Sequence, residues 1–281
     1  MKPPPFRYLR PGAVEEVLDA LAEHGDEAKV LAGGQSLVPL MNFRLARPEV
    51  LIDLSLLDEL RGIREVDDRL CLGAMTRQRD AETSHEVGAV CPLIPLALGW
   101  VGHLQIRNRG TIGGSIAHAD PAAELPAVAL ALDAEMIVRS LRGERSIAAA
   151  EFFEGPFTTS LGSDELLVEI RFAATGTAKT VFLELARRAG DFALAGVAAV
   201  NTGGPGAADV RLAAIGIGGS AVRLTGAEDA VRGREVTTEV LRDAGESASA
   251  AVDPPTDVHA DSAYRKELLG VLVRRALQQV A

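Results

Sequence analysis

The turns that decide the fold read Ala32-Gly33-Gly34-Gln35-Ser36-Leu37 and Thr111-Ile112-Gly113-Gly114-Ser115-Ile116. Each places paired glycines and a serine hydroxyl after an apolar residue. Glycine permits positive φ and lets the backbone approach a ligand closely. Successive N–H groups in such a turn form a concavity that binds anions. Two turns of this kind that converge would surround a diphosphate from both sides.

Each turn is a weak signal on its own, because a Gly-Gly pair is more often part of an ordinary turn. A third segment, Gly216-Ile217-Gly218-Gly219-Ser220, has similar letters, and we interpret it as a turn at the end of a strand. Neither of the first two turns matches G-x-G-x-x-G or G-x-x-x-x-G-K-[ST]. The Rossmann and P-loop classes of nucleotide site are therefore excluded.

The composition narrows the class of protein further. A length of 281 residues favours about two domains. The formal net charge of −10 argues against nucleic acid as a partner. No apolar stretch has the length of a transmembrane helix, and no apolar segment typical of a signal peptide follows the N-terminus. Cys71 and Cys91 are isolated and the histidines are dispersed, so we predict no metal site and two reduced structural thiols in the cytoplasm.

Hydrophobic spacing predicts separate helices and strands rather than a regular βαβ alternation, which favours the α+β class. Helices are predicted at 14–21 with Gly25 as the stop signal, at 37–45 and at 93–98. A further helix is predicted from Asp120-Pro121 to Leu132, with Asp120 as its N-cap. A hairpin is predicted at 62–72. Strands are predicted at 30–32, 50–54, 136–138, 145–147, 166–172, 180–185, 194–200 and 210–217.

Longer matches around the two turns carry a family resemblance. The first turn continues as Val38-Pro39-Leu40-Met41, and the second as Ala117-His118-Ala119-Asp120-Pro121-Ala122-Ala123-Glu124. A third match is Arg187-Arg188-Ala189-Gly190-Asp191-Phe192-Ala193. Together these segments resemble the FAD-binding medium subunit of molybdenum hydroxylases, in the aerobic carbon monoxide dehydrogenase and xanthine dehydrogenase flavoprotein group. The resemblance covers essentially the whole chain.

The resemblance implies a fold with two domains. Residues 1–175 would form a vanillyl-alcohol-oxidase-type (PCMH-type) FAD-binding domain of two subdomains, about 1–56 with a small α/β structure and 57–175 with an antiparallel sheet. FAD would lie between the subdomains. Residues 176–281 would form a C-terminal α+β domain with a three-stranded sheet and helices.

The resemblance also implies which residues contact FAD. The N–H groups of the first turn would hold the diphosphate, and the hydroxyls of the second would bind phosphate or ribityl oxygens. The implied cofactor-binding residues are Val30, Leu31, Ala32, Gly33, Gly34, Gln35, Ser36, Leu37, Val101, Thr111, Ile112, Gly113, Gly114, Ser115, Asp120, Glu124, Leu161, Arg187 and Phe192. No catalytic or metal-ligating residue is implied in this chain.

Four of these positions have individual interpretations. Glu124 would accept hydrogen bonds from ribityl or ribose hydroxyls, while Asp120 could be a plain N-cap. The backbone of Leu161 would meet the adenine or flavin edge, unless this residue is simply buried before a strand. Phe192, where members of the family often carry tyrosine, would cover the flavin face, unless it packs in the core. Three further residues lie outside this set. Arg107 and Arg109 could face the diphosphate or a partner, and His118 could support the second turn.

The function implied by the resemblance is electron transfer. A [2Fe-2S] cluster takes four thiolates, so two isolated cysteines place the clusters in another subunit. The expected partners are a molybdenum-cofactor large subunit and an iron-sulfur small subunit, as a dimer of heterotrimers. The expected location is the cytoplasm, with association to the inner face of the membrane through the complex left open. Two alternatives remain: a self-contained FAD oxidase or dehydrogenase, and a nucleotide-binding scaffold without redox chemistry.

Overall fold

The computed structural model describes residues 2–204 and 209–281, and its N-terminal part is a small parallel sheet. The helix α1 begins where Val14, Val17, Leu18 and Leu21 recur at helical spacing, and all four side chains are buried. Gly25 ends α1 with a positive φ of 48°, as predicted. The strand order is β1-β3-β2, with both pairings parallel. The elements are β1 (Arg7–Leu9), α1 (Val14–His24), β2 (Ala28–Leu31), α2 (Leu37–Asn42) and β3 (Val50–Asp53).

An antiparallel sheet follows, with the strand order β4-β5-β10-β6-β7. Its first hairpin turns at Asp67 and Asp68, which both adopt positive φ. The strands are β4 (Ile63–Val66), β5 (Arg69–Gly73), β6 (Glu135–Ser140), β7 (Gly143–Ala148) and β10 (Leu166–Ala173), with β8 (Phe153–Gly155) and β9 (Thr158–Thr159) as a separate ribbon. The helices are α3 (Gln78–Thr83), α4 (His85–Val90), α5 (Leu93–Leu98), α6 (Leu104–Arg107), α7 (Ile112–His118), α8 (Glu124–Ala131) and α9 (Ala149–Phe152).

The helix predicted to start at Asp120-Pro121 begins later, so that prediction is wrong at its N-terminus. The helix α8 begins at Glu124, and its N-cap is Ala123. The Asp120 carboxylate accepts the N–H of Ala122 at 2.9 Å, which closes a turn instead of capping the helix. Asp120 and Glu124 therefore do not share one helical face. The helix α2 also stops early, at Asn42, because Arg44 adopts a φ of 61°.

The C-terminal part is an antiparallel sheet covered by helices. The three long strands are the three that the sequence predicts, and a two-residue fourth strand extends the sheet, in the order β11-β12-β13-β14. The fourth strand forms because the glycine turn at 216–220 returns the chain, so that Val222 pairs with Ala214. That segment is thus a turn at the end of a strand, as interpreted. The elements are β11 (Lys179–Ala186), β12 (Ala193–Asn201), β13 (Val210–Ile215), β14 (Val222–Arg223), α10 (Thr225–Val231), α11 (Thr238–Ala250) and α12 (Ser262–Val280).

The C-terminal sheet separates two apolar cores, because successive side chains of a strand point to opposite faces. Phe182 and Ile215 belong to the core that contains α5 and α8. Val197 and Ala214 face the other way and belong to the core that contains α10, α11 and α12. One face of this sheet therefore packs against the antiparallel domain and shares its core.

A buried arginine fixes α12 to the sheet. Arg265 is 4% exposed, and its Nη1 donates hydrogen bonds to the carbonyls of Leu194 at 2.7 Å and Gly216 at 3.0 Å. Its Nη2 donates to the carboxylate of Asp257 at 2.7 Å. A hydrogen bond to a charged group stabilises the fold more than one between neutral groups. When one partner is removed, the fold is destabilised because the other is left buried and unpaired.

We expect Arg265→Met to lower the free energy of unfolding by about 2–4 kcal/mol, because two buried carbonyls and Asp257 lose their donor. Urea denaturation of the full chain measures this change. Arg275→Met, on an exposed position of the same helix, is the matched control and should change stability by less than about 0.5 kcal/mol. Equal losses of stability in the two variants would contradict the role of Arg265 in holding α12 on the sheet.

Candidate functional site

The two glycine turns converge in the structure. A Cβ atom added to Gly33 would lie 2.4 Å from the carbonyl oxygen of Arg109 and 2.8 Å from the Cα of Gly110. A Cβ on Gly114 would lie 3.4 Å from the Cβ of Ala32. The first turn therefore rests directly on the backbone that leads into the second. Only glycine fits at position 33 without moving that backbone.

The first turn presents a row of unused donors. Gly34 adopts a φ of 73°, which favours glycine. Among the described residues, the N–H groups of Gly33, Gly34, Gln35 and Ser36 donate no hydrogen bond to another group of the chain. Gln35 and Ser36 are exposed and Gly34 is half-buried, so this part of the row is open to a ligand. Consecutive free N–H groups of this kind match an anion.

The second turn uses its backbone differently, because it is the first turn of α7. The N–H of Ile112 donates to the carbonyl of Thr76 at 3.0 Å, and the N–H of Gly113 donates to the carbonyl of Ala74 at 2.9 Å. The N–H of Gly114 donates to the Thr111 hydroxyl at 3.0 Å, so Thr111 is the N-cap. These amides are therefore satisfied internally, and only the first turn offers a continuous row of free N–H groups.

The glycines of the second turn serve close packing. A Cβ on Gly113 would lie 2.5 Å from the Cβ and 2.7 Å from the Cα of Ala74, so α7 could not approach the end of β5 with a larger residue. Ser115 is half-buried, and within residues 2–204 and 209–281 its hydroxyl makes no hydrogen bond. This hydroxyl is the polar group that the second turn leaves available.

A loop of the C-terminal domain reaches the same region. Gly190 has a φ of 85°, and a Cβ there would lie 2.5 Å from Cε1 of His103 and 3.1 Å from the carbonyl of Gly102. The 187–192 loop therefore packs on Gly102 and His103, which follow the half-buried Val101 in the chain. Phe192 is 73% exposed, so the alternative that it packs in the core is wrong.

The remaining predicted residues each have their own surroundings. Arg107 is committed to structure: its Nε donates to Glu82 at 2.9 Å and its Nη1 to the carbonyl of Val101 at 2.8 Å. Arg187 is exposed, and its Nη1 lies 3.4 Å from Nδ1 of His259. Leu161 is half-buried against the core of the antiparallel domain. Val30, Leu31 and Leu37 are half-buried at the two ends of the first turn, and the His118 ring lies 5.1 Å from that of Phe157.

Two carboxyl groups, those of Glu124 in α8 and Glu184 in β11, are buried. Glu124, the first residue of α8, is 9% exposed, and burial raises its pKa to about 7. Asp120 raises this pKa further, whereas a hydrogen bond from the Glu124 backbone N–H and the nearby Arg107 lower it. Burial, with a smaller effect of Glu124, raises the pKa of Glu184 to about 8.

Glu184 is a functional candidate that the sequence reasoning missed. Its neighbour Leu183 packs against the core with α12, so Glu184 shares the opposite face with Phe182 and points toward α5 and α8. Glu184 is 7% exposed, and its Oε2 has no hydrogen-bond partner in the described part of the chain. A single charged residue in the apolar run 181–185 is the signal that could have identified it.

The family models agree with this architecture. A model described as "FAD binding domain in molybdopterin dehydrogenase" matches residues 4–174. A second, described as "CO dehydrogenase flavoprotein C-terminal domain", matches residues 166–280. The fold and these matches define a flavoprotein that binds FAD.

Whole-length relatives give the same answer. The chain is 40% identical to the 6-hydroxypseudooxynicotine dehydrogenase complex subunit alpha of Paenarthrobacter nicotinovorans, over 99% of this chain and 95% of the relative. It is 38% identical to the glyceraldehyde dehydrogenase medium chain of Sulfolobus acidocaldarius, over 100% of each. In the solved structure of a carbon monoxide dehydrogenase from Hydrogenophaga pseudoflava, the matching chain is 39% identical, with a TM-score of 0.97 over 100% of this chain and 98% of that one.

The chain therefore belongs to the family of FAD-binding medium subunits of molybdenum hydroxylases. The predicted fold class, the FAD cofactor and the assignment to the oxidoreductases are confirmed. No helix of the described residues is long and apolar enough to cross a bilayer. The domain boundary at 175/176 and the individual cofactor contacts stay predictions.

We expect Gly33→Ala to weaken FAD binding about ten- to one hundred-fold, because overpacking of about 1–3 kcal/mol at the Arg109 carbonyl would force the two turns apart. Titration of the full chain with FAD, followed by quenching of flavin fluorescence, measures the affinity. Gly88→Ala is the matched control, since no atom lies within 4 Å of its added Cβ. Equal affinities in the two variants would rule out the steric requirement at Gly33.

We expect Glu184→Gln to flatten the pH dependence of stability. The folded-state pKa of Glu184, about 8, lies above its unfolded value of roughly 4.3, so the folded state binds more protons. Its contribution to stability is therefore full below pH 4 and is lost as pH rises toward 8. The fall in unfolding free energy from pH 5 to pH 8 should shrink by an amount on the order of 1–3 kcal/mol in the variant.

Urea unfolding at each pH measures this slope. Glu154→Gln, at an exposed position, serves as the control and should leave the slope unchanged. A wild-type slope in Glu184→Gln would show that Glu184 ionises as freely in the folded chain as in the unfolded one.

Proposed function

We propose that this chain is the FAD-carrying electron-transfer subunit of a molybdenum hydroxylase. It takes electrons from [2Fe-2S] clusters of a partner subunit and passes them to an external acceptor. The observation that carries this proposal is the row of free N–H groups from Gly33 to Ser36, which lies against the second turn. These donors fit the diphosphate of FAD.

Each of the predicted residues would have one of four roles in holding FAD. The row Gly33, Gly34, Gln35 and Ser36 would bind the diphosphate through backbone N–H groups. The Ser115 hydroxyl and the Glu124 carboxyl would bind the ribityl or ribose hydroxyls, and the exposed ring of Phe192 would cover the flavin face. The surrounding contacts would come from Val30, Leu31, Ala32, Leu37, Val101, Thr111, Ile112, Gly113, Gly114, Asp120, Leu161 and Arg187.

In this proposal, FAD and the protein have different roles in electron transfer. Bound FAD supplies the redox chemistry, and the protein supplies binding, orientation and electrostatic tuning. The residues of the site need to act neither as a nucleophile nor as a metal ligand. The loop at 187–192 would keep one side of the flavin site closed by its contact with His103, and phenylalanine at 192 provides a stacking surface without a phenol hydroxyl.

The metal centres would lie in partner subunits. Cys71 and Cys91 are both buried, and burial raises the pKa of Cys91 to about 12, so this thiol stays protonated and is a poor ligand. We propose a molybdenum-cofactor large subunit and an iron-sulfur small subunit, arranged as a dimer of heterotrimers. Two relatives support this proposal by their names, a complex subunit and a medium chain. The proposed location is the cytoplasm, with contact to the inner membrane face, if any, made through the complex.

Anaerobic electron transfer tests the function. The small subunit is reduced chemically, freed of the reductant and mixed with the full chain that has been loaded with FAD. We expect the visible flavin absorption to bleach as the cluster absorption recovers, and a further addition of acceptor to restore the flavin spectrum. The same small subunit stripped of its clusters is the control and should leave the flavin oxidised.

Two other results would redirect the proposal. A full chain that fails to take up FAD would leave only a scaffold without redox function. Turnover of an organic substrate by the isolated FAD-loaded chain would favour a self-contained oxidase or dehydrogenase.

A further inference from the structure

Arg77 is attached to both glycine turns, although neither turn contains it. Its backbone forms an isolated antiparallel β-bridge with Thr111, the first residue of the second turn. Its Nη1 donates a hydrogen bond to the carbonyl of Arg109. That same carbonyl oxygen lies 2.4 Å from the place a Cβ of Gly33 would occupy. The half-buried guanidinium of Arg77 is therefore separated from the first turn by one peptide group.

The charge of Arg77 is not neutralised by the protein. Within the described ranges, neither Arg77 nor Arg109 forms an ion pair with a carboxylate, whereas Arg61 pairs with Asp58 at 2.7 Å. Burial lowers the pKa of Arg77, and the neighbouring charges of Arg61 and Arg109 lower it further. Two guanidinium groups without a carboxylate partner among the described residues, those of Arg77 and Arg109, thus lie close to each other, and both residues contact the segment between the glycine turns.

Neither of the two nearby carboxylates forms an ion pair with Arg77 in the described residues. Asp80 and Asp53 act on Arg77 in the favourable direction, but more weakly than burial and the two arginines. Asp53 is itself engaged, because it accepts hydrogen bonds from the Tyr8 hydroxyl and, at 2.8 Å, from the N–H of Ser55. A half-buried guanidinium that repels its neighbours and lacks a carboxylate partner fits an anionic ligand.

We propose that Arg77 is a further cofactor-binding residue, the cation that neutralises the diphosphate held by the first glycine turn. The inference rests on the proposed function, because it assumes that FAD occupies this turn. The turn itself offers only neutral N–H donors. A guanidinium adds charge-assisted hydrogen bonds, which are about twice as strong as neutral ones, and its planar fork suits phosphate oxygens.

The competing explanation is structural: Arg77 would only hold the Arg109 carbonyl in place. The two roles separate by substitution. In Arg77→Gln the charge is gone, and a neutral amide donor remains on a shorter side chain. In Arg77→Lys the charge stays and the planar fork is lost. The matched control is Arg79→Gln, because Arg79 is two residues away and its guanidinium is already paired with Glu82 at 3.0 Å.

The experiment is a fluorescence titration of each full-chain variant with FAD at several salt concentrations. We expect Arg77→Gln to weaken FAD binding about ten- to one hundred-fold and to reduce the dependence of the affinity on salt, since one cation no longer meets the diphosphate. Arg77→Lys should lie between Arg77→Gln and wild type. Arg79→Gln should bind FAD with wild-type affinity and salt dependence.

Each contrary outcome overturns the inference in a recognisable way. Wild-type affinity and salt dependence in Arg77→Gln would remove Arg77 from the site and leave the proposed function intact. Equal weakening in Arg77→Gln and Arg77→Lys, with the salt dependence unchanged, would show a structural role only. A wild-type chain that binds no FAD would overturn the proposed function, and the inference with it.

Discussion

The structure depends on one steric constraint, the contact between Gly33 and the carbonyl oxygen of Arg109. With 2.4 Å between that oxygen and a Cβ at position 33, the backbone can make this approach only because Gly33 has no side chain. The contact joins the end of β2, in the small parallel sheet, to the segment that leads into α7. The free N–H groups of the first turn are thereby presented beside the second turn.

The C-terminal domain packs against the rest of the molecule through two contacts. One face of its sheet shares a core with α5 and α8, and Gly190 seats the 187–192 loop on Gly102 and His103. The same face carries Glu184, a carboxyl that the protein leaves without a hydrogen-bond partner in the described residues. A buried polar group without a hydrogen bond destabilises the fold, so its presence calls for an explanation such as a functional role.

Sequence reasoning recovered the parts that local patterns determine. The α+β class, the strands and the two turns follow from hydrophobic spacing and glycine chemistry, and the motifs around them identified the family. The start of α8 was mispredicted because Asp120 caps a turn through Ala122, an arrangement with the same residue preferences as an N-cap. Arg77 and Glu184 were missed because their meaning depends on tertiary neighbours: an arginine in a polar segment and a glutamate in a strand look ordinary until the packing shows what lies beside them.

The contact at Gly33 also affects how the chain folds. It joins residues far apart along the chain, as does the contact between Gly190 and His103. Contacts of this kind form slowly, since a long loop must close before they contribute. The pairing of β5 with β10 also joins residues far apart along the chain, so the cleft and the antiparallel sheet both depend on long-range closure. A cofactor that binds only the finished cleft stabilises the folded chain relative to every partly folded form, and it does so in proportion to its affinity and concentration.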